Sequence, residues 1–256
     1  MSDFDRNYAA ARRFGADRAV MIDAGLRAHM LRVYNYMASA VALTGVAAWL
    51  SYMAAGGDAI MVGGGAISGL TPFGHMILGG FTPIVLMLAT LGLVFFISFR
   101  INRLQYTTAL GLFMLYAALL GLALTSIFVV YTSTSIARVF FISAATFGAM
   151  SLYGYTTQRD LTGMGSFMMM GLIGLIIASV VNMFLKSTGL DWALSVLGVL
   201  IFVGLTAYDT QKVKEYYDVN DDGTIAGRKA VMGALTLYLD FINLFLMLLR
   251  LFGDRR

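Results

Sequence analysis

The sequence predicts an all-α polytopic membrane protein with seven transmembrane helices. Three observations lead there. The 256 residues are 59% hydrophobic and only 12% charged, about half the roughly 25% charged share of soluble domains. Seven apolar runs reach the roughly 20 residues that a helix needs to cross a bilayer. Lysines and arginines gather on alternate connections between those runs.

Residues 1–27 are polar and mixed in charge. No apolar core follows a short basic start, so they do not read as a signal peptide. They predict a soluble N-terminal tail, with a helical turn or two at the membrane surface, ahead of a single membrane domain over 28–256. The spans are placed near 31–54, 77–99, 107–131, 135–157, 166–186, 191–209 and 231–251. Pro83 reads as a kink or a first-turn residue of the second span. Gly165, Gly171 and Gly174 would let the fifth helix approach its neighbours closely. Residues 55–76 are rich in glycine (Gly56, Gly57, Gly63, Gly64, Gly65, Gly69) and predict a flexible loop; they lack the preceding strand and following lysine of a phosphate-binding loop. Residues 210–230 form the other long polar stretch. The remaining connections are short, so sequential helices should be antiparallel neighbours.

With the N-terminus inside, 13 of the 18 basic residues, from Arg6 to Lys229, fall on the inner side. Arg138 and Lys186 fall outside. Arg250, Arg255 and Arg256 follow the seventh span, and a full seventh crossing would place them outside, against the positive-inside rule. The side of the C-terminus therefore stays open at this stage. The net charge of +4 is topological and does not point to nucleic acid. There are no cysteines, which excludes disulfides, thiolate nucleophiles and cysteine-based metal sites. His29 and His75 fall outside the expected spans, and no HExxH motif occurs. Ser151, Ser166 and Ser179 lack a GxSxG context and an in-membrane histidine. No lysine lies in the seventh span to carry retinal. With no nucleophile, base and orienting group in view, an enzyme is not expected.

Two acids stand inside membrane-length runs: Asp209 and Asp240. A carboxylate at membrane depth costs about 2.5–3.5 kcal/mol on insertion scales, so such groups pair, hold a proton or line a wet path. Thr206 lies three residues before Asp209, on the same helix face. Asp209 either reaches interfacial water beside Lys212 or is a buried acid that titrates. Asp240 lies near mid-depth, and Thr236 and Asn243 share its face, giving a polar stripe that must point into the bundle. That stripe is either a packing device between helices or part of a proton- or cation-linked site. If the acids meet, they can hold one proton between them, or a cation once it leaves. Asp209 falls at the inner end of its expected span and Asp240 deeper, so a break or tilt is expected to bring them level. Arg100 and Arg103 close the second span; they anchor it to the inner surface, or one turns inward to clamp Asp209 bidentately. The loop from Asp218 to Gly223 matches the first half of a calcium-binding EF-hand loop, but its twelfth position is Lys229 where a bidentate glutamate belongs. An Asp/Asn/Gly turn is the expected identity, with weak cation attraction as the alternative.

The segments Tyr208-Asp209-Thr210-Gln211-Lys212-Val213-Lys214 and Leu237-Tyr238-Leu239-Asp240-Phe241-Ile242-Asn243-Leu244-Phe245 resemble the signature ends of the Bax inhibitor-1 family. Tyr155-Thr156-Thr157-Gln158-Arg159-Asp160-Leu161 is similar to the loop between spans four and five in the bacterial YccA-like branch. The resemblance covers about residues 25–253. It implies seven helices with the last one central and wrapped by the other six. It also implies a pH-sensitive calcium leak channel whose sensor is an aspartate pair, here Asp209 and Asp240. These would meet calcium only transiently, as the transported ion, with protons as regulator and no tightly bound cofactor. An arginine at the end of span two would latch the first acid; ungapped counting favours Arg103, with Arg100 as the alternative. The branch further implies a bacterial inner membrane, a cytoplasmic N-terminus, and, as a second function, inhibition of a membrane-bound AAA protease. The tail 1–27 would then be the handle. The chain departs from relatives in its longer tail, its glycine-rich 55–76 loop and its acidic 218–222 loop. It also has no acid within span two.

Overall fold

The computed structural model describes residues 3–63 and 66–256, with side chains over 24–61 and 67–256. The chain begins with α1 (Asp3–Ala55). A single turn at Gly57–Ala59 leads into an antiparallel hairpin of β1 (Met61–Gly63) and β2 (Ala66–Ser68), with Met61 opposite Ser68. There follow α2 (Pro72–Leu78), α3 (Thr82–Arg100), α4 (Tyr106–Ala123), α5 (Thr125–Val130) and α6 (Ser133–Thr156). The last three are α7 (Thr162–Leu185), α8 (Thr188–Glu215) and α9 (Gly223–Phe252). Among the described residues seven stretches are long and apolar enough to cross a membrane: Ala24–Ala55, Thr82–Arg103, Tyr106–Val130, Ser133–Thr156, Thr162–Leu185, Thr188–Glu215 and Gly223–Phe252. The expected all-α polytopic fold is the one adopted.

Several boundaries move for local reasons. The expected tail 1–27 lies largely outside the described side chains, and α1 continues through residue 27 without a break. The glycine-rich segment is not a plain loop. Thr71 caps α2 by accepting from the Gly74 N–H, with Pro72 in the first turn. Gly69 adopts φ +77° with the Ala59 carbonyl where a side chain would stand, so only glycine closes that turn. The second span starts at Thr82 rather than 77, and Pro83 sits in its first turn, not at a kink. Helix α8 runs six residues past the expected end at 209, and α9 starts eight residues before the expected 231.

The last helix is central. Two thirds (67%) of its span is buried, against 11% for the second span and 6% for the fifth. The wrapping has two tiers: α1, α4, α6 and α8 pack directly on α9, while α3 leans on α4 and α7 on α8. Tyr238 ties this core together. It is fully buried, and its hydroxyl lies 2.6 Å from Thr44 Oγ1. Thr44 in turn lies 2.9 Å from the carbonyls of Ala40 and Ala117. The phenol therefore donates to Thr44, which donates onward to a carbonyl. Phe113 and Tyr116 meet the Tyr238 ring edge-on, at 5.5 and 5.8 Å.

The open question of the C-terminus is answered by its contacts. The Arg256 N–H donates to the Val130 carbonyl and the Thr132 N–H to the Asp254 carbonyl. Arg256 also donates to Tyr52 Oη (2.9 Å) and lies 3.6 Å from Asp58. The last helix thus crosses fully, and the C-terminus shares the membrane face of the 56–81 connection. The basic residues stranded there have counter-charges: Arg250 lies 3.9 Å from Asp191 and Arg138 3.6 Å from Asp254.

Helix α6 approaches α8 so closely at Gly154 that a β-carbon there would meet the Ala207 backbone, whereas Gly148, on the same helix, has nothing within 4 Å. Gly154→Ala should destabilise the protein by about 1–3 kcal/mol, as overpacking does. Gly148→Ala should leave the melting temperature in detergent unchanged. Equal melting of the two variants would refute the close approach.

Candidate functional site

Helices α8 and α9 are both unbroken through the two acids. Gly198 lies under Met247, and Val213 lies against Gly233. This antiparallel register puts Asp209 level with the turn at Thr236 and Leu237. Asp240 is then one turn further along, about 5 Å on the axis, and both acids line one cavity. No break or tilt is needed. The expected depth mismatch came from ending the sixth span at 209, when the helix continues to Glu215. Asp240 is buried, and its Oδ2 has no hydrogen-bond partner. Two ionised carboxylates offer only acceptors. A proton on either one supplies the missing donor, so this geometry suits a pair that holds one proton.

The acids line a cavity of about 760 Å³ bounded by α3, α7, α8 and α9. Thr236, Asp240, Asn243, Met247 and Arg250 run along its α9 wall, and Phe202, Leu205 and Asp209 along its α8 wall. The predicted stripe Thr236–Asp240–Asn243 is therefore one face, turned inward. Asn243 Nδ2 donates to the Leu239 carbonyl (2.8 Å), which leaves its amide oxygen without a partner in the helix. Thr206 is not part of the site: it is fully buried, and its hydroxyl returns to the Phe202 carbonyl. Arg250 joins the site at the far end. Its position ten residues after Asp240 could have flagged it, had the last turn been read as cavity wall rather than tail.

The structure does not bring the arginines to Asp209. Arg100 ends α3 and Arg103 ends the single helical turn that follows; both are exposed. Neither forms an ion pair among the described residues. Arg228 of α9 holds this turn through the Asn102 carbonyl, which seats it against the start of α9 and away from the acid pair.

The rest of the Tyr208–Lys214 segment serves the neighbouring loop. Gln211 Oε1 accepts the Leu161 N–H (2.9 Å), and Gln211 Nε2 donates to the Arg159 carbonyl (2.8 Å). Lys214 Nζ donates to the Tyr155 carbonyl (2.9 Å). Thr210 Oγ1 lies 3.0 Å from Ser151 Oγ, which bonds Tyr34 Oη at 2.6 Å. The segments from 155 to 161 and from 208 to 214, recognised separately, are thus stapled together. Polar spacing alone gave no sign of this clamp.

In the acidic loop, Asp218 accepts from the backbone and side chain of Asn220. The Asn220 backbone N–H chiefly holds the Asp218 carboxyl below its usual value. Asp221 pairs with Lys229, and Asp222 caps α9 by accepting the Ile225 N–H. The three carboxylates are thus engaged in an Asx turn, an ion pair and a helix cap. His29 lies inside the first span rather than outside it. It is buried, with Nε2 unpartnered, 5.7 Å from the Tyr217 ring.

Two substitutions separate the faces of α8. Asp240→Asn retains an N–H donor toward Asp209 and should melt within about 1 kcal/mol of the parent. Gln211→Leu leaves the buried Leu161 N–H unsatisfied and should cost about 1–3 kcal/mol. Thermal unfolding in detergent measures both. A Gln211→Leu variant as stable as Asp240→Asn would refute the clamp.

Comparison with known proteins agrees with this architecture. The family described as "Inhibitor of apoptosis-promoting Bax1" matches residues 26–256. The inner membrane protein YbhL of Escherichia coli is 48% identical over 94% of this chain and 97% of its own length. A Rickettsia prowazekii protein is 47% identical over 91% of this chain and 92% of its own. A Caulobacter vibrioides protein is 46% identical over the full length of both. With the central acid-bearing helix, the paired aspartates and this end-to-end similarity in hand, the chain belongs to the Bax inhibitor-1 family, alongside bacterial relatives.

Proposed function

We propose that the protein is a pH-sensitive leak pathway for calcium ions in a bacterial inner membrane, with its N-terminus on the cytoplasmic side. The observation that carries this reading is the buried, unpartnered Asp240 Oδ2 beside a cavity that Asp240 shares with Asp209 and that extends to Arg250. The similarity to an inner membrane protein supports the location. Basic residues in and beside the connections after α3, α6 and α8 (Arg100, Arg103, Arg159, Lys212, Lys214, Arg228 and Lys229) support the orientation.

In the closed form one proton is shared by the acid pair, and α8 and α9 stay together where Val213 meets Gly233. Loss of that proton leaves two like charges facing each other, which either push the helices apart or take up a cation. Asp209, Asp240 and the Asn243 amide oxygen are suitable hard ligands for calcium. They fall short of the six to eight oxygens that calcium takes when held tightly, so the ion passes rather than resides. The pairing of Arg103 or Arg100 with Asp209 belongs to a conformation other than this one, in which the end of α3 swings inward.

The test is calcium flux into liposomes holding the full chain, compared between about pH 6 and about pH 8. Flux of the parent should rise with pH. Asp240→Asn, alone or with Asp209→Asn, should flatten that dependence while the protein remains folded. A pH–flux curve unchanged in these variants, or no flux above empty liposomes, would sink the reading.

A further inference from the structure

Helices α1 and α6 are splayed. The Tyr34–Ser151 hydrogen bond joins them (2.6 Å), and beside it a groove of about 530 Å³ faces the bilayer. Its walls are apolar: Met30, Leu31 and Met37 on one side, Phe147 and Leu152 on the other. Its mouth is not. Arg27 lines it, exposed and forming no ion pair among the described residues. Tyr155 closes the same end, with Lys214 Nζ over its ring at 5.6 Å and bonded to its carbonyl. That bond leaves the ammonium two further donors.

An apolar slot along two helices, with Arg27 in its mouth and Lys214 against the tyrosine that closes the same end, matches one kind of occupant. We propose that the α1–α6 groove binds an anionic phospholipid. One acyl chain lies along Met37 and Phe147, and the phosphate sits at Arg27 beside Tyr155, the ring that Lys214 covers. The slot favours a lipid over a free anion, because only a lipid covers the apolar walls. The two cations favour an anionic headgroup, because a zwitterionic lipid brings a cation of its own to the same mouth. Tyr34 and Ser151 line the groove, and behind them Ser151 bonds Thr210, which follows Asp209 on α8. A lipid in this groove thus touches Tyr34 and Ser151, which join it through one further hydroxyl to the helix that carries half of the acid pair. The inference stands apart from the leak reading, because binding is measured without flux.

The test is native mass spectrometry of the full chain released from detergent, with phosphatidylglycerol and phosphatidylcholine added in equal amounts. Phosphatidylglycerol should be retained preferentially, by about fivefold per engaged cation. Arg27→Gln should lower that preference about fivefold, and Arg27→Lys should keep it. Gly148 lines the groove with open space beside it, so Gly148→Phe should fill the slot and reduce retention of both lipids. Equal retention of the two lipids, an unchanged preference in Arg27→Gln, or undiminished retention in Gly148→Phe would overturn the site. So would glycerol phosphate binding as tightly as the lipid, since that would mark an anion site without a lipid.

Discussion

A carboxylate cannot face hydrocarbon, and this chain places one in the middle of its last helix. Everything else in the bundle follows from sheltering Asp240. A helix with an acid at mid-depth must be surrounded by protein, so α9 takes the axis and four helices pack directly against it. Two of those four, α4 and α8, are in turn covered by α3 and α7, whose outward faces are almost wholly apolar. The Tyr238–Thr44 bond and the aromatic edges around it hold the axis against α1 and α4. The opposite side of α9, toward the cavity, is left loosely filled. Tight packing on one flank and open space on the other place the titratable group where the structure has room to rearrange.

Helix α8 is the second organising element because it has two occupied faces. One carries Asp209 to α9. The other carries Thr210, Gln211 and Lys214 to α6 and the loop after it. Residues adjacent in sequence therefore do unrelated work: one belongs to the acid pair and its neighbours hold a loop in place. The rigidity of the clamp is what gives the acid pair a fixed reference, since a carboxylate on a freely shifting helix would not meet its partner at a defined distance.

Much of this was legible beforehand. The seven runs, the antiparallel order, both acids and the inward stripe on α9 follow from hydropathy and from the cost of a charge in lipid. What escaped were the places where polar residues find partners across the bundle. The run of apolar residues stops at Tyr208, yet the helix continues, because Gln211 and Lys214 bond backbone carbonyls 50 or more residues away. That information lies in the pairing and not in either segment. The glycine-rich stretch read as loop for the same reason: the capping of α2 by Thr71 is local, but the turn it completes depends on Gly69 meeting Ala59. Thr206 illustrates the converse. Helical spacing put it beside Asp209, but a threonine hydroxyl in a helix readily satisfies itself on the preceding turn.

The ion pairs on the C-terminal face bear on how the chain comes to be inserted. In the orientation proposed above, with the N-terminus inside, Arg250, Arg255 and Arg256 would be carried to the side that positive charge avoids. Asp58 and Asp191 lie on segments synthesised earlier and are already at that face when the last helix arrives. Arg250 and Arg256 meet these counter-ions, Arg256 also meets the acceptor tyrosine Tyr52, and Arg255 lies over the Tyr131 ring. Topology is then secured at the end of biogenesis by charges laid down near its beginning and middle, and the final crossing, the least favourable of the seven by charge, is held by what the earlier ones left in place.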